Sequence, residues 1–377
     1  MTAKQLGDDD EWERERAEEE ADRLRKEEPP PKIDKSEFLA LRSPRQVNTN
    51  PTRLDNPLWN WLVRTRWDAY NANKLYSGPS PFDAGPMWSF QRFGQSETVL
   101  AGGRVVHIGG EHEDHYDPDF YIYNDVTVVD PEGIVAIYGY PREDFPPTDF
   151  HSATQVRDEI YIIGRLGYSE ARLLDVTPIY KLSLISMRIE AVEAHGDPPG
   201  WIYMHQAKLL DDGHTIIVSG GEIWLGNDRA MRENVDSWSF DTHNGRWRRL
   251  TKRDWQHWIM RRVDRKANRL WDIRQAMWHR DHSHLGLKDY WSHDEAPDFE
   301  ALDALYRIVG DTPQVFDGDE VGAFSVVVDG QTVRFKEERF WIEAIVEGQL
   351  TAKRLSDLQL ITLALLERID SSKYEIE

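Results

Sequence analysis

The sequence predicts a mainly β protein: an irregular β-propeller or open arc, then a basic helical segment, then a small C-terminal α+β module. Three observations predict it. Short apolar strands closing on glycine recur, with Gly109, Gly164 and Gly220 spaced 55 and 56 residues apart. Proline pairs precede the second and third of these units, Pro146-Pro147 and Pro198-Pro199. After residue 250 the strand pattern yields to a tryptophan-rich basic stretch and then to an alternating C-terminal region. A period of about 50 residues with four short strands per unit marks a propeller.

The expected domains are a charged, disordered tail over 1–52, the repeat region over 53–250, a basic helical segment over 251–310 and a ββ(β)α module over 311–377. In the tail, Lys4 to Glu28 holds 12 acidic and 6 basic residues, and only Leu6, Trp12 and Leu24 are large and apolar. Such a segment buries too little surface to offset its conformational entropy. Pro29-Pro30-Pro31 ends any transient helix there. An aromatic-rich stretch follows, from Pro57-Leu58-Trp59 to Phe90, broken by a turn at Gly78-Pro79-Ser80-Pro81.

Each repeat then reads as a turn, an apolar strand ending on glycine, a variable loop and a further strand. In the first, Gln95-Ser96 leads to Val105-Val106-His107-Ile108-Gly109-Gly110 and later Asn124-Asp125-Val126. In the second, His151-Ser152-Ala153 leads to Ile160-Tyr161-Ile162-Ile163-Gly164 and Ile179 to Leu184. In the third, His205-Gln206-Ala207 leads to Ile216-Ile217-Val218-Ser219-Gly220-Gly221, then Asn234 to Asp241 and a late Trp247. Trp88 to Arg92 reads as an incoming strand able to complete the first unit. The glycines are expected where backbone packs closely and φ turns positive.

These units resemble the Kelch repeat, with its His-(Ser/Ala)-Ala turn, its apolar strand ending in Gly-Gly and its late tryptophan. The resemblance covers about 95–250. It departs at Gln95, which replaces the turn histidine, and at Arg165, which replaces the second glycine. No fourth unit is found. The resemblance implies specificity in the loops after each glycine pair. It also brings copper oxidases resembling galactose oxidase into view, whose cofactor needs a Tyr–Cys cross-link. A chain without cysteine cannot make it.

The absence of cysteine further excludes disulfides, thiolate metal sites and a cysteine nucleophile, so any metal must take His, Asp or Glu. With 46 basic and 67 acidic residues the net charge is −21, which disfavours phosphate-rich partners unless positive charge is concentrated locally. It is concentrated between Arg246 and Arg280, where 12 Lys or Arg face three Asp. Tryptophans interleave, and a helical apolar face is expected from Trp255 to Met277. Arg261, Arg262, Arg265, Lys266, Trp258 and Trp271 are the nucleic-acid candidates. Pairing with acidic residues of the same chain is the competing account.

The C-terminal part alternates as strands from Val321 to Val346, turning at Asp329-Gly330, before an apolar helix from Thr351 to Ile369. No apolar h-region opens the chain and its longest apolar stretch is too short to span a bilayer, so a cytoplasmic protein without membrane attachment is expected.

The loop Glu111 to Asp119 packs two histidines and five carboxylates into nine residues. His112, His115, Asp117 and Asp119 form a candidate divalent-metal set. The same loop gives His112, Glu113, Asp114, His115 and Tyr116 as partner-binding candidates, with Arg165, Trp224 and Asn227 from the later loops. His279 to His284 is a second histidine cluster, read as a polar helix end. His151 and His205 recur at one register and are read as architectural. No catalytic residue or cofactor is assigned, since no Walker loop, nucleophile elbow or His-Glu-x-x-His motif occurs.

The expected function is a non-enzymatic protein-binding module, in its specific form a bacterial immunity or antitoxin-type protein masking a basic partner. The alternatives are a propeller enzyme acting on a carbohydrate or a metal-dependent hydrolase, and nucleic-acid binding through 246–280.

Overall fold

The computed structural model describes residues 27–112, 118–227, 229, 231–282, 291, 296–300, 314–315 and 323–377. They fall into two compact units, 1–251 and 252–377.

In the first unit, helix α1 (Lys35–Leu41) begins on a capping box in which Asp34 and Glu37 exchange side-chain and backbone hydrogen bonds. Phe38 on this helix is buried, so ordered structure starts well before residue 52. Composition alone hid this local signal. Strand β1 (Thr52–Leu54) follows, and then α2 (Pro57–Thr65), capped by Asn56 with Pro57 at its first position. Two short helices complete the segment, α3 (Ala69–Leu75) and α4 (Pro81–Ala84).

The repeats form three antiparallel meanders. The first contains β2 (Ser96–Val99), β3 (Val105–Ile108), β6 (Val126–Val129) and β7 (Val135–Gly139), with the hairpin β4 (Glu111–His112) and β5 (Tyr121–Ile122) between β3 and β6. Strand β1 adds to its outer edge against β7. The second meander is β8 (Ser152–Val156), β9 (Glu159–Ile163), β10 (Ile179–Ser183) and β11 (Ile189–Ala191). After β12 (His195–Gly196) and β13 (Trp201–Tyr203) comes the third: β14 (Gln206–Leu209), β15 (Thr215–Ser219), β18 (Ser237–Asp241) and β19 (Arg246–Arg249). Strand β12 lies parallel on its outer edge, and β16 (Glu222–Trp224) with β17 (Arg232–Glu233) joins β13 in a small sheet. Among the described residues no sheet closes into a barrel.

Successive meanders stack on apolar faces. Val106, Ile108, Ile160, Ile162 and Leu182 fill one layer, and Tyr161, Ile163, Val218, Trp238 and Phe240 the next. Strand β9 is therefore buried on both faces, which is why it reads as an unbroken apolar run. Strand β18 alternates Ser237, Trp238, Ser239, Phe240, and only the aromatic face is buried. The first meander's other face is covered by α2 and its neighbours, with Trp59 stacked on Trp88 at 4.7 Å.

Trp88 to Arg92 is not a strand but a pin. Arg92 forms a buried ion pair with Asp125 at 2.5 Å, lies over the Tyr123 ring at 3.4 Å and donates to the Gly109 carbonyl. Trp88 Nε1 donates to the same carboxylate.

The meanders are also joined by histidines. His151 Nε2 bonds Ser96 Oγ at 2.8 Å, and His205 Nε2 bonds Ser152 Oγ at 2.8 Å. Each turn histidine thus reaches back to the serine of the preceding unit.

In the second unit, the window expected to be helical is divided. Strand β20 (Gln256–Arg262) pairs with two strands distant in sequence, and only Arg269 onward is helical, as α5 (Arg269–His282). The sheet runs β21 (Gln314–Val315), β22 (Ala323–Val328), β23 (Gln331–Glu337), β24 (Ile342–Val346), then β20, then β25 (Tyr374–Ile376). Helix α6 (Ala352–Asp370) packs Leu358 and Leu366 into the core this sheet shares with α5. The expected meander and helix are present, enlarged by β20 and β25.

Within that core Arg274 Nε donates to Glu337 at 3.0 Å, both side chains being almost fully enclosed. Burial raises the Glu337 carboxyl to about 7, against the pull of Arg274. Arg274→Ala is expected to cost about 3–5 kcal/mol by stranding a buried acid, and Arg274→Met with Glu337→Leu much less. Urea denaturation of the full chain measures both, and equal losses would refute the account.

Candidate functional site

The loops after the glycines were the expected site, and each is built differently. In the first unit Glu111 exchanges backbone hydrogen bonds with Phe93, and His112 lies opposite Tyr121 across the hairpin. His112 is buried. Desolvation lowers its pKa, with the Asp119 carboxylate pulling the other way. Of the four expected metal ligands the structure therefore brings His112 and Asp119 together; His115 and Asp117 lie outside the described residues. So do the partner-binding candidates Glu113, Asp114 and Tyr116.

In the second unit Arg165 donates its backbone N–H to the Ile202 carbonyl at 3.0 Å and its guanidinium to the Pro147 carbonyl at 3.0 Å. It also lies over Trp201 at 5.1 Å. Arg165 is thus buried and held in place, and it also lines the cleft beside this loop. Asp149, which no motif singled out, accepts from Gly167 N–H at 2.6 Å. Burial raises its pKa, and its carboxyl group meets that of Glu111. Arg172 closes the loop by donating to the carbonyls of Leu166 and Gly167 at 3.0 Å each. Tyr168 Oη accepts from Ile122 N–H at 3.0 Å, tying this loop to the first unit's hairpin.

Beyond this framework the loop turns outward. Leu173, Leu174 and Val176 are 59%, 56% and 41% exposed. Leu174 Cδ2 lies 4.0 Å from where a Cβ on Gly226 would be, so the second and third loops adjoin. Trp224 is almost buried and pairs with Trp201 in register, whereas Asn227 is exposed. A cleft of about 470 Å³ opens here, its lining including Leu173, Asp175, Val176, His195, Trp201 and Trp247. Asp175 in this lining is exposed, as are Glu170, Glu193 and Asp197, which neighbour lining residues in sequence. Sequence reasoning missed the leucines because a single apolar pair inside a loop has no periodicity.

A histidine cluster in the third meander was also missed. His214 and His243 stack at 4.3 Å with rings 7° from parallel, and Asp241 completes a set whose ligand atoms lie within 4.8 Å of one another. The pairing of Thr215 with Asp241 sets the turn before β15 beside the turn after β18, and that register is not written in either turn's own sequence.

The nucleic-acid candidates do not form one surface. Trp258 is a core residue and Trp271 is half-buried. Arg261 and Arg265 pair with Glu377 at 3.4 and 2.9 Å, Arg262 with Asp264 at 2.7 Å, and Lys266 is exposed. The expected alternative, pairing within the chain, holds at these arginines. His279 and His282 belong to α5, and Ser283 and His284 lie outside the described residues. Among the described residues no helix is long and apolar enough to cross a membrane.

No protein-family model and no curated protein matches the chain. A solved structure titled "Structure of YjhT" is similar over 43% of this chain, at 13% identity and a TM-score of 0.28. The match spans 52% of that structure's chain, about half its length.

Proposed function

We propose that the chain is a non-enzymatic protein-binding module, built as an open arc of three Kelch-like units, and that it takes a basic protein partner at the 169–178 loop. The observation that carries this is the exposed Leu173, Leu174 and Val176 beside a cleft whose lining includes Asp175. Clustered exposed aliphatics rimmed by charge mark interaction sites. Beneath them the bonds of Arg165, Asp149 and Arg172 hold the loop, so little ordering entropy is lost on binding. The net charge of −21 steers a basic partner toward the chain. An immunity or antitoxin-type protein is the specific form of this reading.

Panning a displayed peptide library against the full chain tests it. Basic peptides with aliphatic anchors are expected to be enriched, and Leu173→Asp with Leu174→Asp is expected to weaken them at least tenfold with an unchanged melting temperature. Enrichment indifferent to both substitutions, or none at all, would overturn the reading.

A further inference from the structure

The turns before β15 and after β18 are fastened together by the backbone. Thr242 donates both its N–H and its hydroxyl to the His214 carbonyl, at 3.0 and 2.9 Å. This places His214, Asp241 and His243 side by side. We propose that these three residues bind one divalent transition metal of the zinc class. Two imidazoles and one carboxylate, with no thiolate, suit such an ion rather than Mg²⁺ or Ca²⁺, which take all-oxygen shells.

A second observation points the same way: two of the three side chains are held in place by hydrogen bonds that leave ligand lone pairs unused, and the exposed His243 completes the set by turning out of its stack on His214. His214 Nδ1 lies 3.1 Å from the Asp212 carbonyl, so the N–H sits on Nδ1 and the lone pair on Nε2. Asp241 accepts from His243 N–H at 2.9 Å on one oxygen and from Asn244 Nδ2 at 2.7 Å on the other, and each oxygen keeps a second lone pair. Outer bonds of these kinds fix the tautomer and rotamer of metal ligands.

Three protein ligands leave a fourth position for water or an external donor. His243 also lines a cavity of about 500 Å³ with Arg157, Asp158, Glu159, Tyr161 and Lys181. The ion therefore fastens together the ends of the two central strands of the third meander, beside that cavity.

Calorimetric titration of the chelator-treated full chain with ZnCl₂ tests this. One site is expected to disappear in His243→Ala, an exposed position where folding is not at stake, and to weaken at least tenfold in Asp241→Asn. Asn244→Ala, a positioning residue, is expected to weaken it about tenfold. Saturating Zn²⁺, but not Mg²⁺, is expected to raise the melting temperature of the parent by several degrees and of His243→Ala by none. Unchanged zinc stoichiometry and affinity in His243→Ala, or no zinc uptake by the parent, would overturn the proposal.

Discussion

Gly164→Ala is expected to destabilise the first unit by about 4 kcal/mol or more, whereas Gly220→Ala, at the equivalent place one repeat later, is expected to cost about 1–2 kcal/mol. Both residues have a positive φ, 68° and 65°, so both substitutions meet the same backbone penalty. The difference is space. A Cβ on Gly164 would overlap the Ile202 carbonyl oxygen and lie 2.7 Å from His205 Cε1, where the chain enters the next unit. On Gly109 it would overlap the Thr148 carbonyl oxygen in the same way. On Gly220 it would meet nothing within 4 Å among the described residues. The glycine is needed where a carbonyl of the next meander packs against it, and among the described residues no such group faces Gly220. At about 2–4 °C per kcal/mol the two variants should differ by roughly 5–10 °C in melting temperature. Equal losses would show that the carbonyl packed against Gly164 is not what makes that glycine necessary.

Acidification is expected to destabilise the stack of meanders through its two linking histidines, His151 and His205. Burial pushes His151 down to about 3 and His205 to about 4, below the ordinary value of 6.5. A depressed histidine is neutral in the folded state and protonated when unfolded, so its contribution is complete above pH 6.5 and is lost as pH falls toward 4. At about 1.4 kcal/mol per pH unit, each histidine accounts for roughly 2 kcal/mol between pH 6.5 and 5. Asp149, raised by burial, works in the opposite direction. The clean measurement is therefore a difference. His205→Gln, which mimics the residue native to the first unit, should lower stability at pH 7 but flatten the fall to pH 5 by about 2 kcal/mol in urea titrations. Parallel pH profiles for parent and variant would contradict the assignment.

The two predictions share a feature that was written in the sequence. The turns read Gln95-Ser96, His151-Ser152 and His205-Gln206. The first unit has a serine but no histidine, and the last a histidine but no serine. In the structure each bond joins a histidine to the serine one unit earlier, so the outer members lack only the residue for which they have no neighbour. Gln206 is exposed accordingly. Strand patterns carried the same message, since Ile160 to Ile163 is apolar throughout while Ser237 to Asp241 alternates.

Elsewhere local signals misled. Trp255 to Arg262 has spacing compatible with a helix, yet it is a strand because Ile342 to Val346, more than 80 residues away, supplies its ladder of hydrogen bonds. The α1 capping box was readable, but the charge of the preceding segment outweighed it.

The sequence by itself determined the repeat register, the positions that must be glycine, the turn residues that link units and the exclusion of thiolate chemistry. These are properties of a residue type at a spacing. Only the tertiary structure decided which groups meet: Asp149 with Glu111, Leu174 with Gly226, and His214 with Asp241 and His243. Such meetings depend on strand register, where a slip of one residue turns every side chain to the other face, and register is set by pairing between segments far apart in the chain.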